Sequence, residues 1–125
     1  MIAQSVHHVS LSVSDLRRSR TFYEEVLGLR PIPRPEMGIQ GIWYGAGTAE
    51  LHLIVPPEGA DVGRTPRTTN PLAPHLAFRI EDWEKTRATL QAGGLEVLAP
   101  SAERGQMWVR DPDGYVIELI VPREA

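Results

Sequence analysis

The chain has 125 residues, a length that suits one domain with a hydrophobic core and is short for two ordinary ones. A net charge of -3 argues against a nucleic-acid partner, and the lack of cysteine excludes disulfides and thiolate ligands, so any metal must be held by nitrogen and oxygen. The N-terminus lacks the pattern of a secretory signal and no apolar run reaches membrane-spanning length. We therefore expect a cytoplasmic protein with no membrane partner.

The first half of the chain has the pattern of one β-α-β-β-β unit. Alternation in "HVSLSVSD" predicts a strand, and Asp15 is placed to cap a helix that Gly28 can end. Shorter strands are expected near "GIWYG" and "ELHLIV". The stretch 30–41, "RPIPRPEMGIQG", is interpreted as an ordinary loop, with a cover over a cleft as the alternative.

A Pro-, Gly- and Thr-rich stretch, "PPEGADVGRTPRTTNPLAP", then predicts a linker. The second half begins with "HLAFRIEDW", in which Asp82 is again an N-cap, and the helix is expected to stop at Gly93 and Gly94. Strands are expected near "LEVLA", "QMWVRD" and "YVIELIV", with a turn at "DPDG".

The two halves are copies of one pattern. His8 aligns with His75 at an offset of 67, and His52 in "HLIVPPE" aligns with Glu118 in "ELIVPRE" at an offset of 66. We expect a single domain, 1–125, with repeat one at about 4–57, a linker at about 58–71 and repeat two at about 72–123. The predicted fold class is α+β, with two βαβββ repeats forming an open, barrel-like mixed-sheet cleft and the helices outside.

Four ionisable residues share one predicted face of these strands. Side chains alternate along a strand, so the aliphatic face should be covered by each helix and the mixed face left open. The mixed face carries three imidazoles and a carboxylate, a donor set that suits a divalent transition metal: His8, His52, His75 and Glu118. Taken singly, each residue could be an ordinary hydrogen-bonded side chain, with Glu118 paired to Arg79. The coincidence of four related positions favours a metal site, and His7 is assigned to the helix-facing side.

The motifs "HHVSLSVSDLRRSRTFYEEVLGL", "PHLAFRIED" and "VRDPDGYVIELIVP" resemble the vicinal oxygen chelate superfamily over nearly the whole chain. That superfamily includes glyoxalase I, fosfomycin-resistance and bleomycin-resistance proteins, and extradiol dioxygenases. The resemblance implies that His8, His75 and Glu118 are metal ligands and that His52 occupies a fourth, variable position, where glyoxalase I typically has glutamate. It also implies a homodimer and one divalent ion: zinc, nickel, iron, manganese or cobalt.

The resemblance further implies an enzyme whose small substrate chelates the metal through two neighbouring oxygens. Isomerase, epimerase or lyase chemistry would pass through a metal-stabilised enolate, with Glu118 or Glu50 moving the proton. Two alternatives stay open. One is a non-catalytic small-molecule or antibiotic-binding protein of the bleomycin-resistance type, and the other is a dioxygenase.

Overall fold

Residues 1–123 are described by the structure, a computed structural model of the protein. The chain divides into two units between Gly63 and Arg64. Glu124 and Ala125, which the single-domain prediction included, lie outside the described residues.

The first unit contains four strands and one helix. Its elements are β1 (His8–Ser12), α1 (Leu16–Arg20) continuing as a π-helical segment (Thr21–Val26), β2 (Arg30–Ile32), β3 (Gly41–Ala46) and β4 (Ala49–Ile54). The sheet order is β1-β4-β3-β2, in which β1 and β4 are parallel and the other pairs antiparallel.

The second unit repeats this topology. Its elements are β5 (Leu76–Arg79), α2 (Trp83–Ala92), β6 (Leu98–Ser101), β7 (Gln106–Arg110) and β8 (Val116–Ile120). The order β5-β8-β7-β6 has one parallel pair, β5 with β8. The α+β class and the doubled βαβββ pattern are thus confirmed, and the two mixed sheets are not closed into a barrel.

Both helices begin at the predicted caps. The Asp15 side chain accepts a hydrogen bond from the Arg18 amide at 3.1 Å, and Asp82 accepts one from Lys85 at 2.9 Å. These carboxylates satisfy amides that have no partner within the first helical turn. Past the helices, Gly28 and Gly94 adopt φ values of 79° and 84°, a conformation that favours glycine.

The alternation predicted for the last strand of each unit is visible in the packing. Leu51 and Leu53 of β4 are fully buried, as are Ile117 and Leu119 of β8. Between them lie ionisable side chains that are also buried: His52 is 8% exposed and Glu118 is 6% exposed. Burial of such groups is costly unless they have partners, and those partners define the candidate site.

Three details differ from the expectation. The stretch 30–41 is not all loop, because β2 forms at its start and pairs with β3. The strand expected at "LEVLA" lies later, at β6 (Leu98–Ser101). The predicted linker is partly fixed to the second unit: Arg110 donates to the carbonyls of Pro66 and Arg67, and Thr65 donates to Asp113 at 2.9 Å.

Within the described part of the chain, no helix has the length and hydropathy needed to cross a bilayer.

Candidate functional site

In the first unit, three aromatic rings stack on one face of the sheet. The rings of His8 and His52 have centroids 4.1 Å apart and an interplanar angle of 14°. Trp43 stacks with His52 at 4.2 Å and 8°. The strand register explains this contact, because Trp43 on β3 lies directly opposite His52 on β4. Two of the predicted ligands, His8 and His52, are therefore neighbours.

The ring nitrogens of this stack have further partners. Nε2 of His52 lies 2.8 Å from Oε1 of Glu50, and this hydrogen bond is the main reason that the pKa of Glu50 is lowered. Nδ1 of His7 lies 2.9 Å from Nδ1 of His8, so one of these two rings donates to the other. The expectation that His7 packs on the helix-facing side is wrong, because its side chain is exposed and precedes β1.

In the second unit, the other two predicted ligands are in direct contact. Nε2 of His75 lies 2.8 Å from Oε1 of Glu118. The second oxygen, Oε2, accepts a hydrogen bond from the Gln106 amide at 3.2 Å. The alternative pairing of Glu118 with Arg79 is not observed, since no ion pair joins these two described residues.

The tautomer of His75 follows from its other contact. Nδ1 lies 2.8 Å from the Ala73 carbonyl oxygen, which can only accept, so Nδ1 carries the proton. In the neutral ring, Nε2 then has a lone pair that faces a carboxylate oxygen. Two acceptors at this separation repel each other unless a positive charge is shared between them. A proton or a metal cation at this position would supply that charge.

In each unit, a tryptophan lies beside the candidate ligand on the last strand, which is His52 on β4 and Glu118 on β8. Trp108 on β7 lies directly opposite Glu118 on β8, as Trp43 lies opposite His52. Trp108 is 7% exposed, and its buried indole Nε1 has no hydrogen-bond partner among residues 1–123. An unsatisfied buried donor of this kind is uncommon in a native protein, and it is available to an oxygen of a bound molecule.

The structure thus forms two pairs from the four predicted ligands: His8 with His52 and His75 with Glu118. Among residues 1–123, no three His, Asp or Glu side chains are arranged as a complete metal site. The donors themselves fit a divalent transition metal, because they are imidazoles and a carboxylate. His75 also has the second hydrogen bond typical of a metal-binding histidine, from Nδ1 to a backbone carbonyl.

A family model and individual relatives match this chain over most of its length. Residues 5–119 match the Glyoxalase/Bleomycin resistance protein/Dioxygenase superfamily. The chain is 32% identical over 123 residues to Glyoxylase I 4 of Arabidopsis thaliana. The alignment covers 92% of this chain and 69% of that protein.

Two solved structures have the same fold. A glyoxalase family protein from Bacillus anthracis superposes with a TM-score of 0.79 at 26% identity, covering 98% of each chain. TnmS3, an antibiotic binding protein from Streptomyces sp. CB03234, gives a TM-score of 0.74 at 26% identity over 98% of this chain and 99% of that one. The chain belongs to the glyoxalase, bleomycin-resistance and dioxygenase superfamily, and it has the fold of these structural neighbours.

Proposed function

We propose that the protein is a divalent-metal-dependent, glyoxalase-like enzyme that acts on a small substrate through two neighbouring oxygens. The ligands are His8, His52, His75 and Glu118. The observation that carries this proposal is the contact of 2.8 Å between Nε2 of His75 and Oε1 of Glu118. Because Nδ1 of His75 donates to Ala73, these two atoms present lone pairs to the same point, as two ligands of one cation do.

Neighbouring residues hold the ligands in orientation. The Ala73 carbonyl fixes the ring of His75, and the Gln106 amide fixes Oε2 of Glu118. Trp43 stacks on His52 and limits its rotation. Oε1 of Glu118 and Nε2 of His75 remain as donors for zinc, nickel, iron, manganese or cobalt.

The reaction we propose is proton transfer at a carbon next to a carbonyl. When bound, the cation would polarise the carbonyl and favour loss of that proton. Glu118 or Glu50 takes the proton from carbon and returns it to the same or a neighbouring atom, giving isomerase, epimerase or lyase chemistry. Glu50 suits this role because its side chain is 31% exposed and so remains accessible to a substrate.

Metal content decides between this proposal and a binding protein that has no metal. Protein purified without a histidine tag should contain one divalent ion per proposed site, measured by mass spectrometry. Glu118→Gln should lose most of the metal, because it removes the only charge among the ligands, and His75→Ala should do the same. Glu96→Gln, a change at an exposed carboxylate, is the matched control and should keep it.

A wild-type protein that takes up no zinc, nickel, iron, manganese or cobalt from buffer would overturn the enzyme proposal. Equal metal content in Glu118→Gln and Glu96→Gln would show that the site lies elsewhere.

A second candidate is a non-catalytic binding protein, favoured by the similarity to TnmS3 over nearly the whole of both chains. The stack of Trp43, His52 and His8 offers a flat aromatic surface for a planar ligand, because His8 is exposed. Bleomycin should then quench tryptophan fluorescence in metal-free protein, and Trp43→Phe should weaken the effect. Metal bound at one equivalent and no response to bleomycin would exclude this candidate.

A further inference from the structure

A groove lies at one end of the sheet of the second unit, on the side that bears Glu118. It has a volume of 570 Å³ and is lined by Arg104, Gln106, Ile120, Pro122 and Arg123. Gln106 on β7 and Ile120 on β8 are register partners, so their side chains share one face of the sheet. Trp108 and Glu118 are the next pair along that face.

The charge of this groove is positive. Arg104 and Arg123 contribute guanidinium groups, and none of the lining residues within 1–123 has a carboxylate side chain. Within residues 1–123, neither guanidinium takes part in an ion pair or hydrogen bond. Guanidinium groups bind carboxylate and phosphate through charge-assisted hydrogen bonds, often in pairs.

A second groove of the chain is lined by both positive and negative side chains and serves as a comparison. It has a volume of 370 Å³, lies in the first unit and is lined by arginines together with Glu24 and Glu25. There Arg20 is paired with Glu24 at 2.7 Å. The two grooves therefore differ in their described lining residues: arginine and glutamate in the first unit, and arginine without a carboxylate in the second.

Gln106 connects the positive groove to the proposed metal ligands. It lines the groove, and its amide also donates to Oε2 of Glu118 at 3.2 Å. Glu118 and Ile120 point to the same face and are two residues apart, which corresponds to about 7 Å along a strand. A molecule of ordinary metabolite size can therefore reach from Glu118 into the groove.

We propose that this groove is an anion subsite, and that the substrate has a carboxylate or phosphate group that binds Arg104 and Arg123. The substrate is then an elongated anion, with the two neighbouring oxygens at one end and the negative group roughly 7 Å or more away. The second statement rests on the proposed function, whereas anion binding in the groove does not.

The first experiment uses metal-free protein, so that it is independent of the metal site. Inorganic phosphate and acetate are titrated separately at constant ionic strength, and the Gln106 side-chain amide and the Ile120 backbone amide are followed by NMR. Both signals should shift and saturate, with phosphate binding more tightly because of its larger charge. Arg104→Gln/Arg123→Gln should weaken phosphate binding at least tenfold.

The matched control is Arg17→Gln/Arg30→Gln, which removes the same charge from exposed positions in the first unit. It should leave phosphate binding within twofold of wild type. Equal weakening in both double variants would mean that net charge alone attracts phosphate, and the subsite would be wrong. Absence of any saturable shift at Gln106 and Ile120 would overturn it too. Saturation by acetate but not by phosphate would indicate that the negative group of the substrate is a carboxylate. Saturation by phosphate but not by acetate would indicate that it is a phosphate.

The second experiment tests whether one molecule spans both sites. Zinc-loaded protein is titrated with hydroxamates, which chelate through two neighbouring oxygens, carrying a terminal carboxylate on two to five methylene groups. At least one chain length should bind tenfold more tightly than the hydroxamate with a methyl group in place of the carboxylate. Arg104→Gln/Arg123→Gln should abolish that advantage and leave the zinc content unchanged.

If the terminal carboxylate increases the affinity of the hydroxamate at none of these chain lengths, the elongated-substrate proposal is wrong. Failure of the wild-type protein to bind zinc or any other divalent metal would count against the proposed function, while phosphate binding to the metal-free protein would still decide the anion subsite.

Discussion

Glu118 occupies the middle of a buried strand, and each of its two oxygens has a different partner. Oε1 faces Nε2 of His75, whose lone pair repels it in the neutral state, and Oε2 accepts from Gln106. A single hydrogen bond from a neutral amide compensates only part of the cost of burying a carboxylate. A bound cation would supply the remaining compensation, which makes this side chain the most informative one to perturb.

Gln106→Leu should lower the affinity for zinc by about tenfold, because removal of an outer partner of a metal ligand has effects of this order. The physical reason is that Oε2 of Glu118 loses the hydrogen bond from the Gln106 amide, so the carboxylate can rotate. Affinity is measured by competition with a fluorescent zinc chelator, and circular dichroism checks the fold.

The control for this variant is Gln91→Leu, the same change at an exposed position on α2. Unchanged zinc affinity in Gln106→Leu would mean that the amide does not orient Glu118.

At the scale of elements, a polar contact between Tyr44 and Glu24 ties the helix of the first unit to its sheet. The Tyr44 hydroxyl on β3 donates to Oε2 of Glu24 at 2.8 Å, and Nε of Arg20 donates to the same oxygen at 2.7 Å. Glu24 lies in the π-helical segment, where the Leu27 amide bonds the Phe22 carbonyl. The pKa of Glu24 is lowered, first by the hydrogen bond from Arg20, and burial raises the pKa of Tyr44.

Glu24→Gln should destabilise the protein at pH 7 by about 1–2 kcal/mol, the range of a hydrogen bond to a partly exposed charged group. Because the folded-state pKa of Glu24 lies below its ordinary value of 4.5, the stabilisation is present above that pH and is lost as pH falls through the lowered pKa. The difference between wild type and variant should therefore shrink in acid. Urea unfolding at pH 7 and pH 3.5 measures both values.

Glu25→Gln, at the exposed neighbouring position, should show neither effect. A Glu24→Gln deficit that is equally large at both pH values would contradict the assignment of the stabilisation to the ionised carboxylate.

At the scale of the whole molecule, each unit contributes one pair of candidate ligands and the units have the same topology. Several large apolar side chains remain exposed on the chain, including Ile2, Val6 and Leu72. Burial of such residues favours association between copies of a chain.

We expect a homodimer at micromolar concentration. Light scattering coupled to size-exclusion chromatography should give about twice the chain mass of 13.9 kDa, because the exposed apolar side chains lose contact with water in the dimer. A single species at the chain mass across the micromolar range would contradict this expectation.

The sequence by itself determined the repeated unit, the helix starts and the faces of the strands. Caps such as Asp15 and Asp82 act within one helical turn, and the alternation around His52 and Glu118 follows from the geometry of a single strand. These properties depend only on residues that are close in the sequence, so they can be predicted from the sequence alone. The four candidate ligands were also predicted as a set, since they occupy two positions of the repeated pattern, His8 with His75 and His52 with Glu118.

Only the tertiary structure decided how these residues are paired and what else contacts them. The opposition of Trp108 to Glu118 and the donation from Gln106 depend on the register between β7 and β8, which no local pattern reveals. The tautomer of His75 depends on the position of the Ala73 carbonyl. The anchoring of the linker depends on Arg110, more than forty residues away in the chain. Contacts of this kind are set by the relative placement of strands and loops, which only folding establishes.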